Sequence, residues 1–207
     1  IYVLSSSTTG LAHYWPVVDG NTMEIVAGRD LQSVGSPLFV SDRAGMERSA
    51  VQINSTSNYY QAPPGVYFTG GDFSITSWVN VHSCQAYSRV LDFGNGQAND
   101  SVHLSVSLGT TCRPYLNVFN GAGGFNVVSF PMQLVLNSWQ HLAVAQAGTN
   151  TTLYITGTLS GSALHLAPRN VTRLFCYIGK SQWDLSASPI VDANFDQIKI
   201  FSRYLGQ

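Results

Sequence analysis

Charge is what this sequence most lacks. Only 10% of its 207 residues are Asp, Glu, Lys or Arg, against roughly a quarter in an ordinary soluble domain. The formal net charge is −1, so no basic field exists to gather nucleic acid or to hold an anionic membrane. Glutamate is scarce, with Glu24 and Glu47 the sole examples. No apolar run approaches the ~18 residues that span a bilayer, which argues against direct membrane insertion. The three cysteines, Cys84, Cys112 and Cys176, have no Cys-x-x-Cys spacing, which argues against zinc. Helical periodicity is nearly missing: no stretch of about eleven residues repeats apolar positions at i, i+3, i+4 and i+7.

What is present is alternation with a period of two. Trp139–Gln146 and Thr151–Thr156 flank the polar turn Ala147-Gly-Thr-Asn150, the pattern of an antiparallel hairpin. Leu142 and Val144 share one face of the first run, as Leu153 and Ile155 do in the second. A sheet with one apolar face packs on another sheet, and its mixed face is left to meet a ligand. Similar runs predict strands at Leu11–Trp15, Ala50–Ile53, Asn58–Ala62, Phe73–Val81 and Arg89–Phe93. More follow at Val102–Leu108, Tyr115–Asn120, Phe125–Phe130, Leu174–Ile178 and Phe195–Phe201. The stretch Asn21–Arg48 has no period and reads as a long loop. Strands at this spacing indicate an all-β fold, a two-sheet antiparallel jelly-roll sandwich. No linker or internal repeat divides the chain, so residues 1–207 read as one domain. Its opening at Ile1 reads as a piece processed or excised from a larger extracellular protein.

Cys84 follows a predicted strand and Cys112 lies in a turn, and an oxidising compartment would let these two loop residues pair. Cys176, inside an apolar strand, reads as a buried free thiol. Asn54, Asn99, Asn150 and Asn170 each begin an Asn-x-Ser/Thr glycosylation signal. Together with low charge and β architecture, these features point to a secreted or cell-surface location. Trp15, Trp78 and Trp139 are expected in the core, and Trp183 in an exposed turn.

Leu11-Ala-His-Tyr-Trp-Pro16 with Asp19-Gly20, Ser49–Gln52 and Phe73–Val79 resemble the opening of a laminin-G-like domain. Trp139-Gln-His-Leu-Ala143, Leu153-Tyr-Ile-Thr-Gly157, Ile178-Gly179 and Asn194–Phe201 resemble that family's second half. The nearest subtype is the concanavalin A-like, pentraxin-related kind. The resemblance implies a jelly roll of two curved sheets. It also implies a non-catalytic module of extracellular and adhesive proteins that binds glycan or protein, often with calcium. Hydrolases of this fold carry a Glu-x-Asp-x-x-Glu-like strand, and this chain has none. Glycosidases usually need a carboxylate pair about 5–5.5 Å apart, or wider for inversion, and no predicted groove strand offers one. The five histidines define no catalytic triad, and His141 reads as structural. No catalytic residue is expected.

Calcium takes six to eight oxygen ligands, and two places offer some. Asp92, Asn95, Asn99 and Asp100 share a glycine-rich loop that would equally serve as a hairpin turn capped by Asx hydrogen bonds. Asp196 precedes the closing Ile-x-Ile strand, and the resemblance suggests Asp19 as its partner; the competing reading has Asp196 accepting hydrogen bonds from buried backbone or from Arg203. Parity places His103, Tyr115 and Asn117 on one polar-aromatic face. With Tyr154 they form the expected ligand-binding groove. The functional expectation is an extracellular recognition module binding glycan or protein. The alternative is a structural or assembly module packing on other domains of its parent, favoured by a low-charge, 44% hydrophobic composition.

Overall fold

Strands form almost everywhere the sequence alternates. The computed structural model describes residues 8–54, 57–121 and 125–206, the side chains of residues 125 and 126 excepted. Its first strands are β1 (Leu11–Trp15), β2 (Gln32–Val34), β3 (Leu38–Val40), β4 (Ala50–Asn54) and β5 (Tyr59–Ala62). Then come β6 (Phe73–Ser83), β7 (Arg89–Gly94), β8 (Val102–Ser105), β9 (Tyr115–Phe119) and β10 (Phe125–Ser129). The last are β11 (Trp139–Ala147), β12 (Asn150–Ile155), β13 (Thr158–Leu164), β14 (Phe175–Ile178) and β15 (Asp192–Phe201). Among the described residues there is no α-helix, hence no helix long and apolar enough to cross a membrane.

The strands make the expected antiparallel two-sheet sandwich. One sheet has the order β13-β12-β11-β6-β15-β4-β3, and the other β10-β9-β8-β7-β14-β5-β2. One edge of β15 is shared: Asp192–Phe195 pair with β4, and the half from Ile198 onward pairs with β1. The bulge between Asp196 and Lys199 marks the changeover. The β11–β12 hairpin closes through Gly148 at φ +56, the first loop position, where a type II′ turn needs a left-handed residue.

Side chains of alternate residues meet between the sheets. Val144, Ile75 and Ile200 form one row across the eight-stranded sheet. Leu116, Leu104, Leu91, Ile178 and Tyr60 form another across the seven-stranded one. All are buried. The outward row of the seven-stranded sheet is Asn117, His103, Asp92, Tyr177 and Gln61. That row carries the chemistry.

Several expectations need correction. The Asn21–Arg48 stretch contains the short edge strands β2 and β3, and β13 was not anticipated. Trp15 is in the core, but Trp78 and Trp139 are only half-buried. Both are out of phase with the inward Phe73, Ile75, Leu142 and Val144, so parity puts them outside. Cys84 and Cys112 form the expected disulfide, with Cα atoms 5.2 Å apart, and Cys176 is a buried free thiol.

Candidate functional site

The outward face of the seven-stranded sheet is hollow where β7, β8 and β9 run side by side. A cavity of about 500 Å³ opens there, within the range of small-ligand sites. Arg89, His103, Tyr115, Asn117 and Phe119 reach it from the strands. Tyr87, Leu108 and Trp183 wall it from three loops. His103 is ringed by aromatic groups. It meets Tyr115 and Trp183 edge-on at 5.7 and 5.5 Å between centroids, and lies tilted 6.1 Å from Phe119.

Arg89 is the charged element of the wall. Its Nη1 donates to the Tyr87 carbonyl at 2.6 Å, to Ser105 Oγ at 2.8 Å and to the Tyr115 hydroxyl. The guanidinium carbon lies 5.5 and 5.6 Å from the ring centroids of Tyr115 and Trp183. These contacts place two rings and a loop carbonyl around one planar cation.

Asp92 lies beneath the floor, wholly buried. Its Oδ1 accepts from Ser101 Oγ and Gln182 Nε2, both at 2.7 Å. Its Oδ2 accepts from the Gln182 backbone N–H at 3.1 Å and Ser181 Oγ at 3.5 Å, and stands 3.6 Å from Arg89 Nε. The carboxylate therefore neutralises Arg89 and anchors the loop that presents Trp183. β7 ends at Gly94, where a Cβ would stand 2.7 Å from Gln182 Nε2 and 2.8 Å from Ser101 Cα. Glycine is what allows the loop to close on Asp92.

Four polar atoms of the cavity-lining residues are buried without a hydrogen-bond partner among the described residues: Nδ1 and Nε2 of His103, Oδ1 of Asn117, and Nε of Arg89, which has only the Asp92 ion pair at 3.6 Å. Burial, and then the charge of Arg89, hold His103 well below the ordinary imidazole pKa. It is a neutral donor and acceptor. Each unpartnered buried group costs about 1–3 kcal/mol, a penalty that a ligand bearing both donors and acceptors relieves.

The groove thus gathers His103, Tyr115 and Asn117 as expected, but Tyr154 is a correction. It belongs to β12 of the other sheet, whose outer face lies across the sandwich. There it lines a separate depression with Thr76, His141 and Ala143. Parity assigns a residue to a face and leaves open which sheet the strand joins. Arg89 and Trp183 were missed as groove residues. Arg89 reads as an ordinary strand start and Trp183 as an exposed loop residue, whereas it is half-buried.

The proposed calcium ligands do not converge. Asp92 is engaged as described. Asn95 accepts from the Leu174 N–H at 2.9 Å and donates to the Thr172 carbonyl at 3.0 Å. Asp100 accepts from the Gly121 N–H at 2.9 Å and faces Arg169 at 3.5 Å. Asp196 pairs with Arg43 Nη1 at 2.9 Å, while Asp19 is exposed in the turn between Val18 and Asn21. Among the described residues no three His, Cys, Asp or Glu side chains form a metal-binding group. These residues do not fit a calcium site. Of the glycosylation signals, Asn54, Asn150 and Asn170 are exposed and Asn99 is half-buried.

Residues 54–207 match the family described as the concanavalin A-like lectin/glucanases superfamily. No curated protein matches the sequence. Among solved structures, domain 4 of AbnA, a GH43 extracellular arabinanase from Geobacillus stearothermophilus in complex with arabinotriose, is similar. The TM-score is 0.76 at 14% identity, over 95% of this chain and 94% of that one. The binding domain of botulinum neurotoxin serotype D/C gives 0.73 at 11% identity, over 97% of this chain and 50% of that one. The binding domain of Paraclostridial Mosquitocidal Protein 1 gives 0.69 at 16% identity, with 96% and 50% covered. The chain spans about half the length of these toxin binding domains. At such identities the likeness is one of fold. The family match covers well over half of the sequence, and the chain belongs to the concanavalin A-like lectin/glucanases superfamily.

Proposed function

We propose that this chain is a non-catalytic glycan-recognition module of an extracellular protein, with the groove beside His103 as its binding site. The observation that carries this reading is the set of three unpartnered buried polar atoms on His103 and Asn117, framed by aromatic rings. A sugar offers both complements: hydroxyls for the polar atoms, and C–H faces for Trp183, Phe119 and Tyr87. The arabinanase domain, described with arabinotriose, supports the reading by analogy of fold alone.

The distribution of acids supports a binding role. No Asp or Glu lines the groove among the described residues. Glu24 is occupied elsewhere, accepting from the N–H groups of Tyr14, Val26 and Ala27 at 2.6–2.8 Å, and Glu47 is exposed. A pair of carboxyls on either side of a scissile bond is not assembled. The Cys84–Cys112 bridge supports an oxidising, extracellular setting. Because the acidic residues do not converge, binding is independent of calcium in this reading.

A glycan array followed by calorimetry tests it, comparing the wild type with Trp183→Ala in the presence and absence of EDTA. Saccharide binding that EDTA leaves intact and Trp183→Ala weakens at least about ten-fold, the equivalent of about 1.4 kcal/mol, supports the proposal. A blank array with well-folded protein overturns it.

A further inference from the structure

A second, smaller cleft of about 250 Å³ adjoins the groove on the same face of the sheet, lined by Gly96, Phe175, Tyr177, Lys180 and Gln182. Cross-strand register fixes its position. Tyr177 stands opposite Asp92, and Asp92 opposite His103. Tyr177 and His103 are therefore two strand spacings apart, about 10 Å, a span that a short oligosaccharide bridges. The Gln182 side chain forms the partition. Its Nε2 donates to Asp92, and its Oε1 accepts from the Gly96 N–H at 2.8 Å. The next residue, Trp183, faces the larger cavity.

The cleft differs from the groove in charge. The groove holds a neutral histidine and an arginine balanced by Asp92. In the cleft, Lys180 Nζ lies 4.2 Å from the Tyr177 ring centroid and 5.4 Å from that of Tyr59. One of its three donors is used, on the Ser181 carbonyl at 2.9 Å. It takes part in none of the ion pairs found among the described residues. Phe175 and Tyr177 lie side by side at 6.3 Å with 32° between their planes, and Phe175 is 40% exposed. The result is an exposed Phe175 ring beside a Tyr177 ring that is faced by an ammonium outside any ion pair among the described residues.

We infer that the cleft is a subsite for an acidic sugar unit, bearing a carboxylate or sulfate, of an oligosaccharide whose uncharged part occupies the groove. The ring of that unit stacks on the exposed Phe175, and its anionic group accepts hydrogen bonds from the free donors of Lys180 over Tyr177. This inference rests on the glycan reading of the groove.

The test is an array of neutral oligosaccharides printed beside their uronic acid, sialylated and sulfated counterparts. Affinities for the best matched pair are then measured on wild type, Lys180→Met, Lys180→Arg and Trp183→Ala. The expected result is tighter binding of the acidic member by wild type. Lys180→Met lowers the acidic-to-neutral ratio roughly ten-fold, and Lys180→Arg restores the ratio. Trp183→Ala weakens both members alike. If neutral saccharides bind the groove and the ratio is the same in wild type and Lys180→Met, the subsite is refuted and the groove reading stands. If no saccharide binds, both readings fall. The carboxylate and sulfate arms show which anion the cleft takes.

Discussion

Replacing Asp92 by Asn separates the two roles this residue can be given, metal ligand or internal anchor. Asparagine keeps one acceptor oxygen, enough to serve Ser101 Oγ and Gln182 Nε2 at the Oδ1 position. At the Oδ2 position it presents an amide, a donor, to the Gln182 N–H and to Arg89 Nε. The Gln182 N–H then loses its acceptor, at about 1–3 kcal/mol, and Arg89 loses its counter-charge. A loss of about 3–4 kcal/mol follows, close to what removal of one partner of a buried ion pair produces. In a chain of this length that is a fall of roughly 6–16 °C in melting temperature. The assay is urea and thermal unfolding of wild type and Asp92→Asn, each with calcium and with EDTA. The double variant Asp92→Asn/Arg89→Met is expected to recover part of the loss, since it removes the orphaned cation as well. A wild-type melting temperature that rises with calcium, with that rise absent in Asp92→Asn, would refute the anchor. So would an Asn variant within 0.5 kcal/mol of wild type, an ordinary surface effect.

Replacing Cys84 and Cys112 by Ala opens a loop of 28 residues and is expected to lower stability by about 3–4 kcal/mol in chain-entropy reckoning. It also frees the two loops that carry Tyr87 and Leu108, so the glycan affinity proposed for the groove is expected to fall along with the urea midpoint. The pKa values of His13, His103 and His141 are lowered, chiefly by burial. As pH falls through about 6.5, the unfolded chain takes up protons that the folded one refuses, so these residues stabilise above that pH and the benefit is lost below it. Unfolding titrations between pH 8 and 5 measure that slope, which His103→Gln makes shallower. Asp196 has the opposite sign. Burial outweighs Arg43 and pushes its pKa up to about 7, so the folded state keeps a proton that the unfolded one has released. Its contribution therefore falls as pH climbs from about 4 to about 7, and Asp196→Asn removes this fall in the same titrations.

The long strands were legible because one face of each is buried against the other sheet, which forces alternation. β6 and β11 show it plainly. β2 and β3 are three-residue edge strands, too short to display a period, and β13 is an edge strand of mostly small and polar residues. The outward positions of Trp78 and Trp139 were readable from parity, but size and hydrophobicity suggested the core. The groove was half visible: β8 and β9 gave His103, Tyr115 and Asn117 by alternation. Arg89 and Trp183 join them through contacts spanning 26 and more residues, which no local pattern encodes. The Asp92 loop resembled a metal site because oxygen donors that cap turns and oxygen donors that hold ions are the same residue types.

The shared edge of β15 bears on how the chain reaches this structure. The strand that β6, β4 and β1 all pair with follows all three in the sequence, so these pairings wait until residues 192–201 are available. Such long-range pairing folds slowly and leaves apolar strands unprotected meanwhile. The yield of native protein is thus set by how well the nascent chain is shielded until its closing strand arrives.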